Sequence, residues 1–220
     1  MYFLPAGCLI FVIFILLLPF LFVLGYFRII TIGFENLGIS PGATLLLLLL
    51  ILAGSTVNIP LTKKKMIYVK ERRFFGLQPV SRLKRQGLAI NLGGAIIPIL
   101  ISCYLLYSIW RAGFSLSPVV ISIALMAIIA KFLARIVPGK GIVISALIPP
   151  FFSAVLALFF APQFAPACAF IAGTLGVLIG ADLLNLKKAG HCGSYLSIGG
   201  AGVFDGIFLV GIISSLLAAF

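Results

Sequence analysis

The chain has 220 residues, 63% of them hydrophobic and 9% charged, with a mean hydropathy of +1.30. A soluble domain needs far more charge to cover its surface, so this composition excludes that class and points to a protein that crosses a membrane several times. The net charge of +12 comes from Lys and Arg clustered beside apolar runs, where cytoplasmic loops collect them, so it is read as topology and no nucleic-acid partner is expected.

The apolar runs are about 20 residues long, enough at about 1.5 Å per residue to cross about 30 Å of hydrocarbon, and they lack the alternation of barrel strands. The reading is an all-α, polytopic transmembrane bundle of seven spans. Met1-Tyr2-Phe3-Leu4 carries no basic leader and no small-residue cleavage site follows, so helix 1 is expected as a retained span at 5–27. Helix 2 is expected at 41–61. The connection at 62–86 holds Lys63-Lys64-Lys65, Arg72-Arg73 and Phe74-Phe75, a mixture suited to lying along an anionic leaflet. Helices 3 and 4 follow at 87–110 and 116–136, with Tyr107 and Trp110 as an aromatic belt at the outer end of helix 3. The sequence Pro138-Gly139-Lys140-Gly141 predicts a tight turn before helix 5 at 142–161, and Pro149-Pro150 is expected to kink or break that helix. Helices 6 and 7 are expected at 164–186 and 198–220.

No internal repeat is visible and no connection is long enough for a separate domain, so residues 1–220 read as one transmembrane domain with a basic cytoplasmic loop at 62–86. The connections between helices 2 and 3, 4 and 5, and 6 and 7 would share one side of the membrane. They carry 14 of the 16 Lys and Arg residues, and only Arg28 and Arg111 fall on the other side. The positive-inside rule then puts the N-terminus in the cytoplasm and the C-terminus outside, as in a multi-pass protein of the inner, cytoplasmic membrane.

Cofactor chemistry has little to stand on. Cys8, Cys103, Cys168 and Cys192 are scattered without a CxxC pair, and His191-Cys192 gives two adjacent ligands without the second pair that zinc requires. The glycine clusters lie in apolar segments and precede no Lys-Ser or Lys-Thr, so neither a metal, a nucleotide nor another cofactor is expected.

Among just four acidic residues, Asp182 and Asp205 fall inside hydrophobic segments. An Asp at the centre of a transmembrane helix costs about 2.5–3.5 kcal/mol on insertion scales, so the default reading of such a residue is a functional site. Asp182 precedes Lys187 by five residues near the cytoplasmic end of helix 6, and Asp205 follows Ile198 by seven at the start of helix 7. Both are expected roughly 7–11 Å below the same interface, on neighbouring antiparallel helices. Gly173, Gly176 and Gly180 on one helix and Gly199, Gly200, Gly202 and Gly206 on the other favour close approach. Two facing carboxyls would share a proton, supplying one base and one acid at a single site.

The stretches Gly180-Ala181-Asp182-Leu183-Leu184-Asn185-Leu186 and Gly199-Gly200-Ala201-Gly202-Val203-Phe204-Asp205-Gly206-Ile207-Phe208, with the turn at Pro138–Gly141, resemble a prokaryotic integral membrane family known only as a domain of unknown function. That likeness covers most of the chain and implies no particular activity. More distantly, the arrangement is similar to presenilin-type intramembrane aspartyl proteases, a resemblance that implies the first catalytic role for Asp182 and the second for Asp205. It is topological: Ala181 stands where those proteases have Tyr, Gly202-Val203-Phe204 replaces a Gly-x-Gly pattern, and no Pro-Ala-Leu segment follows.

Three readings follow. In the first, the pair hydrolyses a transmembrane peptide substrate. In the second, a transporter or channel, the same acids bind and release protons or a small cation, with Asn185 or Lys140 as polar partner. In the third, a scaffold, they make interhelical hydrogen bonds and the bilayer is the partner.

Overall fold

The structure, a computed structural model, describes residues 6–62, 65–73, 78–137, 141–145, 147–190, 195–200 and 206–219. Helix α1 (Ala6–Asn36) is 31 residues long and leads into α2 (Pro41–Ser55). The end of α1 and α2 are bent by 116°. Gly38 makes the bend: at φ +77° it donates to Glu35 O, while Ile39 N donates back to Phe34 O, so the last carbonyls of α1 are satisfied as the chain turns. The same pair of bonds around Gly113 (φ +81°) ends α3 (Ile97–Arg111).

Helices α4 (Ser117–Leu133), α5 (Ile148–Phe160) and α6 (Ala165–Val177) follow, then the short α7 (Leu186–Gly190) and α8 (Gly206–Leu217). Prolines mark the starts: Pro41, Pro118, Pro149 and Pro166 all sit in the first turn of a helix, where the missing N–H has no intrahelical partner to lose. This accounts for Pro149-Pro150. The expected interruption takes the form of a helix start, and residues 142–145 and Leu147 before it are not helical.

Among the residues described down to their side chains, two apolar helices reach membrane length, Leu92–Arg111 and Pro162–Ala189, and the bent pair Phe27–Asn36 with Pro41–Ser55 adds a third if taken as one span. Each of the seven expected spans contains a helix, but α4, α5 and α8 have only 17, 13 and 12 residues. Their lost length went partly into strands. Strand β1 (Asn58–Pro60) follows α2, β4 (Arg135–Val137) follows α4, β5 (Gly141–Val143) precedes α5, and β6 (Tyr195–Ile198) precedes α8.

The basic connection folds too. Strands β2 (Lys65–Arg73) and β3 (Gln78–Asn91) form an antiparallel ribbon running from Lys65 opposite Gln86 to Arg73 opposite Gln78. Near its end β3 pairs with β1, Asn58 opposite Asn91, and parallel with β6, Gly87 opposite Tyr195. The all-α expectation is therefore corrected to a mostly helical fold with a four-stranded sheet and a separate β4–β5 pair. Residues 87–91, expected as the first turn of helix 3, are strand because their backbone groups pair with β1 and β6.

Helix α6 is the centre of the bundle. Within the most apolar 18 residues of Pro162–Ala189 67% are buried, against 44% within those of Leu92–Arg111, so the former is enclosed by protein while the latter keeps a wide outward face. An apolar helix without a polar side can be enclosed this way. Helices α4, α5 and α8 pack around it through small residues: a Cβ at Gly176 would lie 2.6 Å from Met126 Cβ, and one at Gly211 2.6 Å from Thr174 Oγ1. The outer faces carry Leu16, Leu46, Trp110, Phe132 and Phe159, all strongly exposed, as lipid-facing residues are.

Candidate functional site

Asp182 is half-buried at the end of a π-helical turn, Leu178–Asp182, that continues α6 and passes into a 3₁₀ turn, Leu183–Asn185. Such turns break the regular i to i−4 ladder and recur at functional sites. Buried Asn185 donates its Nδ2 to Gly180 O (3.1 Å) and Ala181 O (3.0 Å), so two carbonyls in the irregular stretch keep a partner. Gly180 itself presses on α4, where any Cβ would collide with the Ala127 carbonyl.

Among the described residues, the backbone donor that reaches the carboxylate is Gly199 N, 3.4 Å from Asp182 Oδ2. Gly199 stands just after β6 at φ +69°, and a Cβ there would lie 2.7 Å from Ala95 Cβ and 2.8 Å from both Ala95 N and Gly94 C. The position is closed to other residues on two counts, backbone conformation and space.

The backbone against Gly199 belongs to a second π-helical turn, Leu92–Ile96, which opens α3. Asn91 caps it, its Oδ1 accepting from Gly94 N at 2.7 Å. Asn91 Nδ2 donates to Ser55 O at the end of α2 (2.7 Å) and to Asn58 Oδ1 on β1 (3.2 Å), and Asn58 Oδ1 also accepts from the Ser197 hydroxyl on β6. A polar seam thus runs from Ser55 through Asn91, Asn58 and Ser197 to the Gly199 amide and Asp182. It lies where the sheet meets the bundle.

Asp205 lies outside the described residues, as do Lys63, Lys64, Phe74, Phe75, Lys140, His191 and Cys192. The described residues bracketing Asp205 are Gly200, one residue beyond the Gly199 amide, and Gly206, which opens α8. Helix α8 runs antiparallel to α6. Ile207 and Val210 share a buried cluster with Val177, Leu178 and Ala181, whereas Ile212 and Ala218 share one with Ala165 to Ile171.

Asn58, Asn91 and the Gly93-Gly94 pair fall at the ends of the expected helices 2 and 3 that flank the basic connection, and the structure brings them together at the start of α3. Ser197 was not singled out, because its role depends on β6 pairing with a strand more than 100 residues earlier.

A second polar group lies deeper, between α4, α5, α6 and α8. Cys168 Sγ donates to Ser122 Oγ at 3.7 Å, while Ser122, Ser153 and Ser214 each donate to a carbonyl one turn earlier. Thr174 Oγ1 and Ser215 Oγ are fully buried, with no hydrogen-bond partner among the described residues.

Fold and seam together define a helix-rich protein with membrane-length helices and a polar site where its sheet joins the bundle. Residues 52–217 match the family model described as protein of unknown function, DUF1614, and the chain belongs to that family. The matched stretch contains the six strands and both π-helical turns found among the described residues, together with Asp182 and Asp205. No curated protein and no solved structure matches the chain.

Proposed function

We propose that the protein is an intramembrane aspartyl protease whose catalytic pair is Asp182 and Asp205, set in a bundle of seven crossings with the sheet on the cytoplasmic side. One observation carries this reading. The Gly199 amide binds the Asp182 carboxylate, and the segment that begins there leads through Asp205 into α8, whose first turns pack beside the π-helical turn bearing Asp182. A general base and a general acid are what peptide hydrolysis requires: one carboxylate takes a proton from water, the water oxygen attacks the scissile carbonyl, and the other carboxyl protonates the leaving amine. The 14 to 2 distribution of Lys and Arg supports the orientation.

The test is cleavage of a transmembrane reporter peptide in proteoliposomes. Wild type should cleave it, Asp182→Asn and Asp205→Asn should each abolish cleavage while remaining folded, and the double variant should be no worse than either. Cleavage retained by both single variants would end the proposal.

The buried hydroxyls favour a second reading, coupled transport of protons or a small cation. Thr174 and Ser215, lacking partners among the described residues, extend polar character along the bundle from Asp182. Under that reading the Asn variants would instead abolish proton-coupled flux, followed with a pH-sensitive dye inside the vesicles.

A further inference from the structure

We infer that the β2–β3 ribbon is a docking surface for the anionic phospholipid headgroups of the membrane in which the bundle sits. Its paired residues, 65–73 and 78–86, carry Lys65, Lys70, Arg72, Arg73, Arg82, Lys84 and Arg85 against the single acid Glu71. The cations alternate across the strands with apolar residues: Met66 pairs with Arg85, Ile67 with Lys84 and Val69 with Arg82. Nine residue pairs at about 3.3 Å each make a ribbon about 30 Å long. A two-stranded ribbon of this kind is marginal in water without a surface to cover it. Among the described elements β3 alone makes extensive contact with β2.

The attachment of the ribbon selects the lipid as that surface. Strand β3 continues without a linker from the ribbon into residues 87–91, which β1 and β6 hold, and then into the π-helical turn that opens α3. With the sheet on the cytoplasmic side, as proposed above, the cations near Gln86 are held beside the headgroups by continuous strand, and a ribbon lying along the leaflet brings the others there. They reach them at high effective concentration, an advantage that a soluble polyanion lacks. At an anionic leaflet each Lys or Arg strengthens attachment about fivefold, falling off within a Debye length.

Hydrogen–deuterium exchange of the full-length protein tests this in nanodiscs of zwitterionic lipid alone and with anionic lipid mixed in. Anionic lipid should slow exchange of the ribbon amides, about twenty-five-fold if only two cations engage at about fivefold each, and raised salt should reverse the effect. The combined Lys65→Gln, Lys70→Gln, Arg72→Gln and Arg73→Gln variant should lose most of this lipid dependence, with α6 exchange unchanged as evidence of folding. A variant exchanging Lys for Arg and Arg for Lys at the same four positions should keep it. Identical ribbon exchange in both lipids would overturn the inference, and so would protection given by added RNA or an acidic protein but not by anionic lipid.

Discussion

Replacing Gly199 by alanine should destabilise the protein by about 2–5 kcal/mol, the sum of two independent costs. A residue with a Cβ held at φ +69° costs about 1–2 kcal/mol. The new methyl would also lie 2.7 Å from Ala95 Cβ and 2.8 Å from two backbone atoms, so the π-helical turn or the end of β6 must move, and such overpacking costs about 1–3 kcal/mol. Either movement draws the Gly199 amide away from Asp182. Thermal unfolding in nanodiscs should show a melting temperature lower on the order of 10 °C, using about 2–4 °C per kcal/mol for a chain of this size. Gly25→Ala is the control: the residue lies inside α1 with nothing within 4 Å of a Cβ, and removing a helical glycine there should leave stability unchanged or slightly raised. If Gly199→Ala melts with wild type, the close approach of β6 to the start of α3 is wrong, and the seam built on it fails.

Asn91→Ala would remove a cap and two side-chain donations at a fully buried position and leave the Ser55 carbonyl without that donor, so a loss of about 2–4 kcal/mol is expected in the same assay. Asn91→Asp keeps the acceptor for Gly94 N but cannot donate to Ser55 O, and should recover only part of the loss. Reporter fusions after Arg73 and at Phe220 should localise to opposite sides of the membrane, and localisation to one side would mean that the seven crossings are miscounted by one.

The longer helices were legible because each coincides with an apolar run, and Pro41, Pro118 and the Pro149-Pro150 doublet mark where three of them begin. The strands were not. Val57-Asn58-Ile59-Pro60, Arg135-Ile136-Val137 and Tyr195-Leu196-Ser197-Ile198 are too short for periodicity to separate strand from helix end. What decides them is pairing between distant segments, which local sequence does not encode: β6 finds β3 across more than 100 residues. The site divides the same way. Asp182 announced itself through the cost of placing a carboxylate in an apolar helix, and Asn185 stood out as a polar partner three residues on. That Asn91 would bridge α2, β1 and the start of α3, and that Gly199 would turn its amide toward Asp182, follows only from the sheet. The all-α reading left no place for it.

The most direct test of the central claim is whether Asp182 and Asp205 meet. With the four native cysteines replaced, Asp182→Cys and Asp205→Cys combined should form an intramolecular disulfide under mild oxidation, or be joined by a reagent one water molecule longer. A disulfide requires Cα atoms within about 7 Å, which a directly hydrogen-bonded carboxyl pair can meet, whereas a pair bridged by one water calls for the longer reagent. Efficient cross-linking, with none when Asp205→Cys is combined instead with a cysteine at Phe132 on the outer face of α4, is the predicted result. No cross-link by either route in a folded protein would contradict the account and assign Asp182 to helix packing.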